Sequence, residues 1–335
     1  MTQVLLSADD RTGSLEIGGL IANENYSVPV GPQAADEQCC VVDIASRHVS
    51  IDQAQARMAE LLARPAEHRA HKMDAGLRGN WAHEIDVLLR EGYKVAIICA
   101  FPDAGRRCQD GVVYIHDLPV LESVFGSDPL NPQVSSKPAE VLEHFGVRGD
   151  VVVWDANTNE EMDAAVQRAV SENRIVVGAS GAIGAFAKLF LPQGAPRQVT
   201  LPRPLVVLCG SLNELSREQI SKIGAPVQHV VGRVTIDPVT VLATHKVAGP
   251  LDDEAAIAMA KVCADVVESV WSDFRSLLIV GGDTAGAIVG DATMETIGCV
   301  APGIPVSWFK DRLVVTKGGG IGQPETVSDI VRRTI

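Results

Sequence analysis

The apolar residues of this chain come in runs that suit buried strands. Val95–Ala100, Val151–Trp154, Ile175–Val177, Leu205–Cys209 and Leu277–Val280 are only three to six residues long. That length fits strands covered on both faces of a parallel sheet and is far too short to span a bilayer. Between them lie amphipathic stretches. Ile51–Ala63 places Ala54, Met58, Leu61 and Leu62 at the spacing of one helix face. Strands are also expected at Val4–Ala8 and Cys39–Asp43, and helices at Glu160–Ser171, at His83–Arg90 and from Leu15 towards Ala22. Strands alternating with helices predict an α/β fold with mostly parallel sheets.

The rhythm breaks once, at LPQGAPRQVTLPRP (residues 191–204), which holds four prolines and one glycine. It restarts at Leu205–Cys209, and further strands are expected at Leu277–Val280 and Leu313–Thr316. Two α/β domains, 1–192 and 203–335, are therefore expected, with a linker at about 191–204 and a ligand cleft between them. A composition of 46% hydrophobic and 21% charged residues excludes disordered and fibrous classes. The opening MTQVLLSADD reaches two aspartates before any signal-peptide apolar core could form, which predicts a cytoplasmic protein. None of the seven cysteines forms a C-x-x-C pair, so reduced structural thiols are expected rather than a zinc site. The net charge of −13 argues against nucleic acid as a partner. An anionic small molecule would need local positive charge, which Arg47, Lys72, Arg78, Arg106 and Arg107 could supply from loop-like contexts.

Four of these contexts lie in the N-terminal half. Asp9 and Asp10 follow the first strand in SADDRTG, where carboxylates can bind sugar hydroxyls, help hold Mg²⁺ or accept a proton. Capping of the next helix by Asp10 or Thr12 is the plainer alternative. Arg47, in DIASRH, can grip a carboxylate through two parallel hydrogen bonds, or be a surface arginine before a helix. Lys72-Met73-Asp74-Ala75-Gly76-Leu77-Arg78-Gly79-Asn80 gathers two cations, an aspartate and two glycines just before a helix, a composition suited to an anionic group. FPDAGRR, residues 101–107, is read as a loop with tandem arginines.

Three contexts lie in the C-terminal half. Ser211, in CGSLN, can hold phosphate with the free amides of a helix start, or simply cap that helix with Asn213. Gly281-Gly282-Asp283-Thr284-Ala285-Gly286 joins a strand to an apolar helix in the manner of a phosphate-binding turn, although the P-loop pattern is absent. Lys317-Gly318-Gly319-Gly320-Ile321-Gly322 is a loop whose backbone can lie against a nucleotide. One further glycine run, Gly178–Gly184, mimics a dinucleotide fingerprint. The stretch 185–213 after it contains no Asp or Glu to hold a ribose, so close helix packing explains these glycines better.

The ordered set DDRTG, SRH, KMDAGLRGN, FPDAGRR, GSLN, GGDTAG and TKGGGIG resembles the four-carbon acid sugar kinase family over essentially the whole chain. The resemblance implies an N-terminal sugar-acid domain and a C-terminal ATP domain. It would place Asp9, Arg47, Lys72, Met73, Asp74 and Ala75 at the acid, with Arg78 nearby. It would place Ser211, Gly281, Gly282, Asp283 and Thr284 at ATP, with a glycine from Gly318, Gly319 and Gly320. The implied reaction is phosphoryl transfer from ATP to a hydroxyl of a small sugar acid of the threonate or erythronate kind. Mg²⁺ would bridge the phosphates, and Asp10 or Asp74 would be the base. No nucleic acid or membrane partner is expected, and a homo-oligomer is left open. Two departures stand out. Ala75-Gly76 occupies the place of a Ser-Thr pair in the family's K-I-D-S-T-L-R-G-N, and Gly318 that of the serine in K-S-G-G-F-G. The chain is also shorter than usual between Ser211 and Leu277. The rival readings are an NAD-linked oxidoreductase built on Gly178–Gly184 and a non-catalytic sugar-acid and nucleotide sensor.

Overall fold

The computed structural model describes residues 1–123, 125–126, 132–230, 234–245 and 253–335. The chain forms two compact units. One comprises Met1–Ile21 and Val28–Gln193, the other Ala22–Ser27 with Gly194–Ile335.

The first unit runs β1 (Thr2–Ala8), α1 (Arg11–Ile21), β2 (Val28–Val30), β3 (Cys39–Asp43), α2 (Ile51–Leu62), β4 (Ala66–Lys72), α3 (Trp81–Arg90) and β5 (Lys94–Ile98). It continues through β6 (Arg106–Gln109), β7 (Val112–Ile115), β8 (Leu118–Pro119), α4 (Pro138–His144), β9 (Val151–Val153), α5 (Asn159–Ser171), β10 (Arg174–Gly178) and α6 (Ser180–Lys188). Seven of these strands form a parallel sheet in the order β2-β3-β1-β4-β10-β5-β9. Helices are laid on it by their apolar faces. Met58 and Leu61 of α2, with Trp81, Ile85 and Leu88 of α3, pack in one core with Val95 and Ile97 of β5. Full burial of such side chains contributes about 1.5–3 kcal/mol each. α2 is started by a capping box in which Ser50 and Gln53 satisfy each other's backbone N–H.

The second unit runs β11 (Leu205–Cys209), α7 (Glu214–Ser221), β12 (Val227–His229), β13 (Val239–Ala243), α8 (Asp253–Ser269), β14 (Ser276–Val280) and α9 (Gly282–Val289). It ends with β15 (Met294–Ala301), β16 (Ile304–Phe309), β17 (Arg312–Lys317) and α10 (Thr326–Arg332). β12-β13-β11-β14-β17 are parallel, and β16 and β15 extend the row antiparallel. Val207, Leu278, Val280 and Val315 meet Val327 and Ile330 of α10 in its core.

Two readings of the sequence need correction. α1 begins at Arg11, not near Leu15, because Asp10 caps it: Gly13 N donates to Asp10 Oδ1 at 2.9 Å. The tandem arginines are not in a loop. Arg106 and Arg107 start β6, which pairs antiparallel with β7 after a tight turn at Gly105.

Candidate active site

The order β3-β1-β4 is what assembles the first site. Ala8 pairs with Asp43 on one side and Lys72 on the other, so the chain leaves three neighbouring strands side by side. Ile44 N donates to Ala8 O at 3.0 Å and Arg47 N to Asp9 O at 3.2 Å, folding the second loop over the first. Asn80 ties in the third, donating to Ser46 O (2.7 Å) and Val49 O (2.9 Å). Gly79, at φ +84°, takes a left-handed conformation, and a side chain there would strike the Arg47 stem. Beneath the loops a buried chain, Ser7 Oγ to His71 Nδ1 and His71 Nε2 to Glu84 Oε2, each 2.8 Å, links β1, β4 and α3.

Three carboxylates and three cations meet here. Arg47 forks onto Asp9 through Nε and Nη2, both at 2.8 Å, and its Nη1 reaches Asp10 Oδ2 at 2.8 Å. Its Nη2 is also 3.5 Å from Asp74 Oδ1. Lys72 Nζ lies 3.6 Å from Asp9 and 3.7 Å from Asp10. Arg78 forks onto Asp74 at 2.8 and 2.9 Å, and Gly76 N and Arg78 N add backbone donors to Asp74 Oδ2. Charges this buried persist only when paired.

The electrostatics follow from that pairing. Burial alone would raise the Asp74 carboxyl, but Arg47 and Arg78 hold it well below the usual carboxylate range. Burial is likewise overcome at Asp10 by Arg47 and Lys72, which lower it. At Lys72 the carboxylates of Asp9 and Asp10 outweigh burial and raise the ammonium. Nearby Asp43 shows the opposite balance: burial pushes it up to about 6 despite Arg11.

The structure thus brings Asp9, Asp10, Arg47, Lys72, Asp74 and Arg78 together. Asp10 both caps α1 and joins the network. Met73 differs: its side chain lies wholly in the apolar core, leaving only its backbone at the site. Ala75 is half-buried beside it. Arg47 is committed to carboxylates of the chain itself, which makes it the hub of the network. Arg106 is better placed to meet an anion. Its Nη1 donates to Ala104 O at 2.9 Å, and the residue lines a cavity of about 260 Å³ with Gly105, His116 and Asn157. Glu16, bonded to Ser180 Oγ at 2.7 Å, has its carboxyl raised by burial and had no signal in the sequence.

The C-terminal glycine loops also gather, because β11, β14 and β17 are adjacent and parallel. Gly281 N donates to Lys317 O at 2.9 Å, and Ser211 N to Val280 O at 3.1 Å. Gly281 precedes α9 at φ +128°, a conformation open to glycine, and a Cβ there would meet Ser211 N at 3.2 Å and Thr284 Oγ1 at 3.3 Å. Helix α7 holds the last loop: Ser216 Oγ donates to Gly319 O at 2.8 Å, and Gln219 Nε2 to Ile321 O and Gln323 O at 3.1 and 2.8 Å. A Cβ on Gly319 would stand 2.9 Å from Ser211 Oγ, so Ser211 and Gly319 face each other closely. Gly318 and Gly282 are half-buried, and Gly320 and Asp283 are exposed. Lys317 joins this set. It is buried at the end of β17, its Nζ donates to Gly318 O (2.9 Å) and Gly319 O (3.3 Å), and burial pulls its ammonium down to about 8. As the single cation at the mouth of a glycine loop, it could have been singled out from sequence.

The Gly178–Gly184 run serves packing. A Cβ on Gly178 would collide with Ile98 O of β5, and one on Gly181 would meet Phe101 at 2.8 Å. Among the described residues, no group of three His, Cys, Asp or Glu is placed to hold a metal ion.

Residues 4–148 match a family model described as a sugar-binding N-terminal domain, and residues 225–327 one described as a nucleotide-binding C-terminal domain. The chain is 24% identical to a D-threonate kinase of Salmonella typhimurium, over 98% of this chain and 97% of that protein. It is 23% identical to a D-erythronate kinase of Heliobacterium modesticaldum, over 99% and 97%. The crystal structure of a Haemophilus influenzae protein shares the fold with a TM-score of 0.72 at 18% identity, covering 99% of this chain and 100% of the other. The chain belongs to the four-carbon acid sugar kinase family.

Proposed function

We propose that this chain transfers a phosphoryl group from ATP to a hydroxyl of a small sugar acid of the threonate or erythronate kind, within the cytoplasm. Residues 1–192 would bind the acid and residues 203–335 the nucleotide. The observation that carries the reading is the balanced network of Asp9, Asp10 and Asp74 with Arg47, Lys72 and Arg78. Such a set of fixed charges can orient a polyhydroxy acid without reorganising during the reaction.

Within the network Asp10 is the better proton acceptor. Asp74 already accepts from Arg78 and two backbone amides and is 9% exposed, whereas the Asp10 side chain is 25% exposed. Arg47 and Lys72 hold Asp9 and Asp10 in place, and Arg78 with Arg106 would meet the carboxylate of the acid. Ser211, Gly281–Thr284, Gly318–Gly320 and Lys317 would surround the phosphates. The close backbone approach at Gly281 and Gly319 fits such a group. Asp283, exposed at the start of α9, fits a Mg²⁺ held mainly by phosphate and water, and the ion would supply neutralisation of phosphate charge.

A coupled ADP-release assay over a panel of four- to six-carbon sugar acids tests the reading. Turnover with at least one acid is expected. Asp10→Asn should lower kcat by roughly 10²- to 10⁴-fold with acid binding retained. Acid binding without turnover of any acid would favour a sensor instead.

A further inference from the structure

The half-buried Phe125 ring packs against Gly76, in the loop that carries Asp74 and Arg78. An added Cβ on Gly76 would lie 2.7 Å from its Cγ and 2.8 Å from its Cβ and Cδ1, so the ring fills the place a side chain at position 76 would take. The guanidinium carbon of Arg78 is 4.8 Å from the ring centroid and that of Arg106 is 5.7 Å, both within cation–π range. Of the two, Arg78 also grips Asp74 with a fork. The ring also packs against the apolar core of its unit. Three independent contacts therefore fix an aromatic surface at the corner where Asp74 and Arg78 meet.

We propose that Phe125 is a specificity-determining wall, and that it selects sugar acids presenting a C–H face, such as mono-deoxy acids, over acids presenting a hydroxyl at that corner. This rests on the sugar-acid reading of the site. A hydroxyl pressed on the ring loses its water and gains no hydrogen bond from the phenyl, which carries neither donor nor lone pair, while Arg78 is already engaged by Asp74. A C–H group gives up no hydrogen bond there and adds apolar contact. Discrimination of roughly 10- to 100-fold is expected.

The test compares wild type, Phe125→Ala, Gly76→Ser and the double variant, using trihydroxybutanoates and their mono-deoxy counterparts. Binding is read by calorimetry and turnover with ATP separately. Wild type should bind and turn over a mono-deoxy acid at least about 10-fold better, and Phe125→Ala should erase that preference. Gly76→Ser alone should lose binding or fail to fold, and Phe125→Ala should rescue it, shifting preference towards the trihydroxy acid. Equal binding of both acids by wild type, or a preference untouched by Phe125→Ala, overturns the wall, as does wild type that binds neither. Discriminating binding without any turnover would instead overturn the kinase reading and leave the wall standing.

Discussion

Arg47 is the most informative residue to remove. Arg47→Ala deletes three hydrogen bonds of 2.8 Å and leaves Asp9, 1% exposed, with Lys72 at 3.6 Å as its one remaining cation among the described residues. Losing one partner of a buried charge set costs about 3–5 kcal/mol, and the surviving Lys72 argues for the lower end, about 3 kcal/mol. In a unit of this size that lowers Tm by about 6–12 °C. The deficit has a pH signature. Asp10 and Asp74 are held below their ordinary values, so their contribution is present above about pH 4 and is lost as pH falls towards their folded values. The variant lacks most of that contribution, so the gap from wild type should narrow below about pH 4. Calorimetric melts from neutral to acid pH measure both effects. A variant melting within about 1 °C of wild type at neutral pH, or a gap constant with pH, would refute the reasoning.

Asp43→Asn should behave in the opposite way. Because the folded value of Asp43 is raised to about 6, ionisation costs stability as pH rises from about 4 to 6, and the variant should gain up to about 2–3 kcal/mol above pH 6 and nothing below pH 4. Chemical denaturation at both ends of that range decides it. Lys317 should carry its charge only below about pH 8, so ATP affinity should weaken as pH rises through 8, and Lys317→Met should bind more weakly with no such dependence in titration calorimetry. Gly210→Ala would drive a Cβ into Thr284 Oγ1 and should abolish nucleotide binding, whereas Gly286→Ala meets nothing within 4 Å and should bind normally in the same titration.

Most strands were legible because their apolar runs are unambiguous. Cys39–Asp43 and Leu205–Cys209 match their expected limits residue for residue. β4 was not visible, since AEHRAHK offers only two alanines among polar residues and is made a strand by its neighbours β1 and β10. The short β6–β7–β8 sheet was hidden in the same way: RRCQ has no apolar alternation and takes its conformation from pairing with VVYI. Residue types at the acid site were readable, but their pairing was not. Arg47 is far in sequence from Asp9 and Asp74, and only the crossover order β3-β1-β4, which no local pattern encodes, places it between them. Phe125 lay beyond reach for a related reason. Its contact with Gly76 joins two loops distant in sequence, and the glycine alone said only that a side chain was missing.

A single-turnover reaction with ATP labelled in the γ-phosphate follows phosphoryl transfer to a sugar acid step by step. The label should pass to a phosphate ester of the acid, in step with ADP, when the product is followed by phosphorus NMR. Label recovered only in inorganic phosphate, or ATP left intact while a sugar acid is bound, would contradict it.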